Sequence, residues 1–238
     1  LFASAAALFG LIVGSFLNVV IHRLPRMLAQ QWQEQCRETL AAPAPAEAPT
    51  AFNLLTPRSH CPHCRHRLRL LENIPLLSFL WLRGKCSACG RPISRRYPLV
   101  EALTALLSFL AAWHFGYGVQ AFAAVLLTWA LVALSFIDID HQLLPDVVTL
   151  PLLWLGLLLN TFQVFARLDS AVIGAAAGYL ALWLLFHLYR LLTAKEGMGH
   201  GDFKLLALFG AWLGWQALPL TILLASFSGA AVGLAFIA

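Results

Sequence analysis

Charge is scarce in this sequence: Asp, Glu, Lys and Arg make up 11% of 238 residues, against roughly 25% in an ordinary soluble domain. With 60% hydrophobic residues and a mean hydropathy of +0.76, that scarcity excludes a soluble globular domain and a disordered chain alike. Common hydrolytic and nucleotide motifs are missing too. There is no Gly-x-Ser-x-Gly, no His-Glu-x-x-His and no phosphate-binding P-loop, which sets aside serine hydrolases, zincins and P-loop enzymes. What is present is a succession of apolar runs of about 16 to 22 residues, near the roughly 20 that a helix needs to cross the hydrocarbon core.

The expected fold is therefore an all-α polytopic membrane protein. Spans are predicted at 1–21, 97–114, 119–137, 147–166, 171–192, 203–218 and 219–238. The first run lacks a basic leader region and meets His22-Arg23 without a small-residue cleavage site, so it is a retained span rather than a signal peptide. The chain starts without Met and stops inside an apolar run. Native residues are thus expected to be missing at both ends, and an eighth span could follow, giving seven to eight transmembrane helices. Three segments result: 1–21 as the first transmembrane helix, 22–98 as a polar loop, and 99–238 as a transmembrane core.

A net charge of +5 and a pI near 9.2 suggest nucleic acid, but the placement of the cations decides otherwise. The 22–98 loop holds twelve of the sixteen Lys and Arg: Arg23, Arg26, Arg37, Arg58, Arg65, Arg67, Arg69, Arg83, Lys85, Arg91, Arg95 and Arg96. The positive-inside bias makes this loop cytoplasmic. Threading the spans from there places fifteen basic residues inside and only Arg167 outside. No recognition helix is apparent, so no nucleic-acid partner is expected. The cations serve topology and attraction to an anionic lipid bilayer, worth about 1 kcal/mol each near the surface. Within the loop, 27–40 can form an amphipathic helix or a plain surface connector. Residues 41–50 form a Pro/Ala linker expected to be extended.

After the linker, Cys61-Pro-His-Cys64 and Cys86-Ser-Ala-Cys89 form two C-x-x-C pairs separated by 21 residues, one more than the usual knuckle spacing. Two disulfides would not persist in a reducing cytoplasm. Four thiolates converging from two hairpins suit tetrahedral zinc, and with no open ligand position the zinc should be structural. His60, His63 and His66 are possible substitute ligands, and Cys36 is left as a free thiol.

Only eleven residues are acidic, and four of them occupy two short stretches at one leaflet: 136–146, with Asp138, Asp140 and Asp146, and 199–204, with Asp202. Acids at that depth are costly and mark function. Asp146, after Pro145, reads as the N-cap of a span, and Asp140 reads as solvated. Asp138 continues an apolar helix, where a charge has least excuse. Asp202 could cap the next helix, yet Gly199 and Gly201 just before it allow another chain to approach closely. Together Asp138 and Asp202 can share one proton, one acid activating water while the other protonates a carbonyl oxygen. The opposite partial charges of the two helix ends would help to divide these roles.

In order, the motifs Gly14-Ser-Phe-Leu-Asn-Val-Val-Ile-His-Arg-Leu-Pro25, the paired Cys-x-x-Cys, Asn73-Ile-Pro-Leu-Leu-Ser78, Arg96-Tyr-Pro-Leu-Val-Glu101, Asp138 with Leu144-Pro-Asp146, and Gly199-x-Gly-Asp-x-Lys204 resemble the bacterial type IV prepilin peptidases over about 14–204. Archaeal preflagellin peptidases look similar only in the aspartate half. The resemblance implies an inner-membrane aspartic endopeptidase of the Gly-x-Gly-Asp type. Such an enzyme removes the basic leader of type IV prepilins and type II secretion pseudopilins after a Gly, usually before Phe. Its catalytic acids fall on Asp138 and Asp202, the pair already singled out. It also implies, for many members, N-methylation of the freed terminus by S-adenosylmethionine, with Gly84 and Lys85 the positions expected to meet that cofactor.

Glu72 stands where the family often has Asp, and the Pro/Ala linker looks like an insertion. Gly14, Ser15 and Asn18 suit helix packing as readily as binding. A basic loop should repel a basic leader, so Asp140 and Asp146 are expected to receive the leader's charges. Two alternatives stand beside this expectation: a peptidase without methyltransferase activity, and a non-enzymatic zinc-containing membrane transporter, although the repeated hydropathy common in transporters is not found.

Overall fold

The computed structural model describes residues 1–40, 52–61, 63–195 and 197–237; the expected linker at 41–50 and Glu196 lie outside them. The described residues form eight α-helices and no strand: α1 Phe2–Thr39, α2 Leu77–Trp81, α3 Arg96–Phe115, α4 Val119–His141, α5 Asp146–Asn160, α6 Leu168–Thr193, α7 His200–Leu213 and α8 Leu218–Ile237. Five segments are long and apolar enough to cross a membrane, in α1, α3, α4, α6 and Trp215–Ala235. The chain is an all-α membrane protein. Every predicted span is helical, but α5 and α7 have only 15 and 14 residues.

Three boundaries depart from expectation, each for a visible reason. Residues 27–39 form no separate surface helix; they continue α1 straight through Pro25, because Ala, Gln, Glu and Arg sustain a helix and no glycine stops it. Helix α5 ends at Asn160 instead of running to 166. The Asn160 Oδ1 accepts the amides of Phe165 and Ala166 at 3.0 Å each, while its Nδ2 donates to the carbonyls of Ala211 and Trp212 at 2.9 Å each. Helix α7 stops at Gly214, whose φ of +82° suits glycine.

The chain divides into two compact units, Leu1–Leu143 and Leu144–Ala238. In the first, α1 lies along α3. A Cβ added to Gly10 would sit 2.6 Å from Ser108 Oγ, and one on Gly14 only 2.8 Å from Glu101 Cα. Lipid is as apolar as Leu, so such close approach, with its dispersion and hydrogen bonds, holds membrane helices together in place of the hydrophobic effect. Trp129 Nε1 on α4 donates to Ser108 Oγ at 2.8 Å, and Asn18 Nδ2 donates to the Tyr97 carbonyl at 3.1 Å. Gly14 and Asn18 are thus packing residues.

The second unit is knit more tightly. A Cβ at Gly210 would collide with the Gly174 carbonyl, and one at Gly178 would lie 2.7 Å from the Leu206 carbonyl. Trp212 is fully buried against Gly156, and its Nε1 donates to the Leu152 carbonyl at 2.8 Å.

Candidate active site and metal centre

Within the first unit, the two C-x-x-C hairpins repeat one geometry. Cys61 N–H donates to the His66 carbonyl and Cys86 N–H to the Arg91 carbonyl, both at 2.9 Å. In each hairpin the residue after the second cysteine turns back with positive φ, +58° at Arg65 and +68° at Gly90, and donates its amide to the first cysteine's carbonyl. These turns bring the four sulfurs of Cys61, Cys64, Cys86 and Cys89 within 4.8 Å of one another. The pairs Cys61–Cys89 and Cys64–Cys86 are 3.9 Å apart. Tetrahedral metal–sulfur bonds of ~2.3 Å place sulfurs roughly 3.8 Å apart, so the tetrad fits a closed four-sulfur metal site. All four cysteines are free of disulfides. The Cys64 and His63 amides pull the Cys61 thiol well below its usual range, toward the thiolate a metal needs.

The nearby histidines are engaged elsewhere. His60 Nδ1 pairs with the Arg58 carbonyl, His63 Nδ1 accepts from Arg91 at 2.8 Å, and His66 Nε2 lies 3.3 Å from Glu72. Cys36 is exposed on α1. Glu72, noted in the sequence only as a departure from the family, clamps the two hairpins. Its carboxylate accepts the Arg69 amide at 2.8 Å and the Ser87 hydroxyl at 2.6 Å. The Arg69 amide first, then the Ser87 hydroxyl, hold this carboxyl below the usual range. Its isolation among nine cations was the available signal.

Two further residues tie the loop to the helices. Buried Arg23 donates to the carbonyls of Asn53, Leu54 and Pro57 at 2.9, 3.3 and 2.5 Å. Buried Glu101, in the second turn of α3, accepts the Leu76 amide at 2.9 Å, directly before α2. Gly84 has φ +68° and packs its Cα face against the Phe79 ring, 3.0 Å from an added Cβ. Lys85 is exposed.

Asp138 lies in the last turn of α4, exposed, with its carbonyl accepting Gln142 N–H at 2.8 Å. Asp140 is exposed, as expected, and is also paired. Arg96, the first residue of α3, donates to its carboxylate at 2.6–2.7 Å and to the Phe136 carbonyl at 3.2 Å, with the guanidinium 5.1 Å from the Phe136 ring centre. In the second unit, Asp202 is half-buried in the first turn of α7 and is not its N-cap, a place taken by extended Gly199. Gly201 packs against Leu144, 2.8 Å from an added Cβ. Asp146 does not cap α5 either. Pro145 does, and Asp146 receives Lys204 Nζ at 2.6 and 2.7 Å.

The tetrad is therefore assembled within one unit, whereas Asp138 and Asp202 belong to different units. Asp140 and Asp146, expected to receive a leader's charges, each pair with a cation of this chain, Arg96 and Lys204. Arg96 and Lys204 were missed as partners. Their signal was a cation at the mouth of an apolar run, but the partners lie 44 and 58 residues away.

Residues 8–115 match the bacterial peptidase A24 N-terminal domain and residues 125–234 match the type IV leader peptidase family. Proteins named prepilin leader peptidase/N-methyltransferase are similar along almost the whole chain. The one from Stutzerimonas stutzeri is 62% identical over 98% of this chain and 80% of its own length. That of Pseudomonas aeruginosa is 59% identical with the same coverage, and that of Aeromonas hydrophila is 58% identical over 100% of this chain and 82% of its own. No solved structure matches. Both halves match enzymes in the order that the motifs announced, which leaves no place for a transporter. The chain belongs to the type IV leader peptidase family.

Proposed function

We propose that this enzyme removes the basic leader from type IV prepilins and type II secretion pseudopilins and then methylates the new N-terminus. The observation that carries the reading is the placement of Asp138 and Asp202, one closing α4 and one opening α7, in a chain so similar to prepilin leader peptidase/N-methyltransferases. One acid takes a proton from the water that attacks the Gly carbonyl at the scissile bond, and the other gives a proton to that carbonyl's oxygen. Collapse of the tetrahedral intermediate passes a proton to the leaving amine. The amides opening α7 and the carbonyls closing α4 present opposite partial charges to the two acids, which separates the accepting role from the donating one. The peptidase core then spans 99–238.

S-Adenosylmethionine, when bound, supplies the methyl group that the freed amine accepts. Gly84 and Lys85 are the positions offered for it, the exposed Lys85 ammonium meeting its carboxylate. The metal is zinc in a structural role: Cys61, Cys64, Cys86 and Cys89 leave no open position. The zinc element faces the anionic inner leaflet from the cytoplasm of a bacterial inner membrane. Supporting this, Glu101 tethers α2 beside the start of α3, and α2 turns Leu77, Leu80 and Trp81 outward beside the loop's cations. That combination suits an anionic interface.

The test uses the full chain in lipid with a prepilin bearing a Gly-Phe junction, products read by mass. Wild type should cut after Gly, and folded Asp138→Asn and Asp202→Asn should not. A mature product lacking the added ~14 Da of a methyl group would reduce the enzyme to a peptidase alone. Cleavage by either folded aspartate variant would overturn the dyad.

A further inference from the structure

Each candidate acid is followed two residues later by a charge that reaches back to the start of a neighbouring helix in its own unit. On α4, Asp140 follows Asp138 and meets Arg96 at the start of α3. On α7, Lys204 follows Asp202 and meets Asp146 at the start of α5. The signs are informative. An anion near the C-terminal end of α4 and a cation near the N-terminal end of α7 are each the charge that the helix end disfavours. Neither charge therefore serves its own helix end, and each forms an ion pair with its partner. Arg96 also spans the acid's turn, binding the Phe136 carbonyl two residues before Asp138 and the Asp140 carboxylate two residues after it. Lys204 reaches both Asp146 oxygens.

From this repeated geometry we infer that Arg96 and Lys204 are positioning residues of the peptidase step, each locking the helix turn that carries one catalytic acid. They act through Asp140 and Asp146 and touch no substrate. The inference rests on the Asp138–Asp202 reading above. A latch of this kind fixes each acid within its own unit, so cleavage depends on it more steeply than substrate binding does. Misplacing a reacting group by an ångström costs about a hundredfold.

The experiment measures kcat and KM for prepilin cleavage in lipid, alongside methylation of a synthetic peptide that already begins at the mature N-terminus. Arg96→Gln and Lys204→Gln should each lower kcat by about 10- to 100-fold while KM moves by less than about twofold. Methylation should be unchanged, reporting an intact fold. Arg96→Lys and Lys204→Arg should recover most of the loss. Asp140→Asn, which leaves Arg96 its Phe136 bond, should fall between, and Arg96→Gln with Asp140→Asn should be no worse than Arg96→Gln alone.

Unchanged kcat in the Gln variants overturns the inference. A raised KM at constant kcat also overturns it, because the cations would then bind substrate. Loss of methylation together with cleavage overturns it as well, because the pairs would then hold the fold alone. Asp138→Asn and Asp202→Asn run beside them: if these still cleave, the dyad reading fails, and if they are dead while the Gln variants are normal, only the latches fail.

Discussion

The two units carry one candidate acid each but hold it at opposite ends of unlike helices. In Leu1–Leu143, Asp138 closes a 23-residue helix, and the unit also bears the cysteine element on its long loop. In Leu144–Ala238, Asp202 opens a 14-residue helix, packed by glycines against backbone. At 1.5 Å per residue, α5 and α7 are about 22 Å and 21 Å long, short of a hydrocarbon core of about 30 Å. At least one end of each must therefore fall short of a bilayer face or draw the bilayer thinner. The difference teaches a division of labour. The first unit supplies an acid on a long helix together with an accessory element, and the second supplies an acid on a short, rigid one.

Metal removal breaks that comparison most deeply. Structural zinc in small folds is worth on the order of 10 kcal/mol, so chelation, or Cys61→Ser with Cys86→Ser, should unfold 52–95 while leaving α5 to α8 protected. Hydrogen exchange read by mass checks this, and equal loosening of both units would show the element to be no separate module. Methylation should fail with it, while cleavage of a saturating substrate persists.

Next in size, Asp138→Asn and Asp202→Asn should each lower kcat for cleavage by about 10²- to 10⁴-fold. Equal losses make the two units equal contributors, and a much smaller loss in one would assign the chemistry to the other.

A third contrast concerns packing. Gly210→Ala meets the immovable Gly174 carbonyl, whereas Gly10→Ala first meets the Ser108 hydroxyl on a side chain. Overpacking costs about 1–3 kcal/mol, and it should fall harder on Gly210→Ala in thermal unfolding in detergent.

The smallest effect is at Glu72. Its folded pKa lies below the unfolded value of about 4.3, so its contribution is complete above that pH and disappears as pH falls through the lower folded value. Compared with wild type, Glu72→Gln should flatten the acid sensitivity of the cysteine element below about pH 4.3 and leave the second unit's profile unmoved.

Much of this architecture was legible in the sequence because membrane helices announce themselves by composition. The long apolar runs became α1, α3, α4, α6 and α8, and the C-x-x-C pairs became one tetrad because two tight turns need only local residues. Asp138 and Asp202 stood out through the scarcity of acids. Where local rules were pressed further, they failed. Asp146 and Asp202 looked like caps, yet Pro145 and Gly199 hold those places. The first span was expected to end at 21, yet α1 runs on through Pro25 to Thr39. Asp140 is exposed as expected, but its pairing with Arg96 went unseen.

By itself, then, the sequence determined the all-helical membrane class and singled out the candidate cysteine ligands and the candidate acids, since hydropathy, short-range spacing and rarity are properties of the chain. The tertiary structure alone decided which polar groups meet: Arg96 with Asp140, Lys204 with Asp146, Glu72 with Ser87, and Glu101 with the Leu76 amide. A salt bridge or hydrogen bond acts over about 3 Å, and only the packing of helices and loops brings groups 15 to 58 residues apart within that reach.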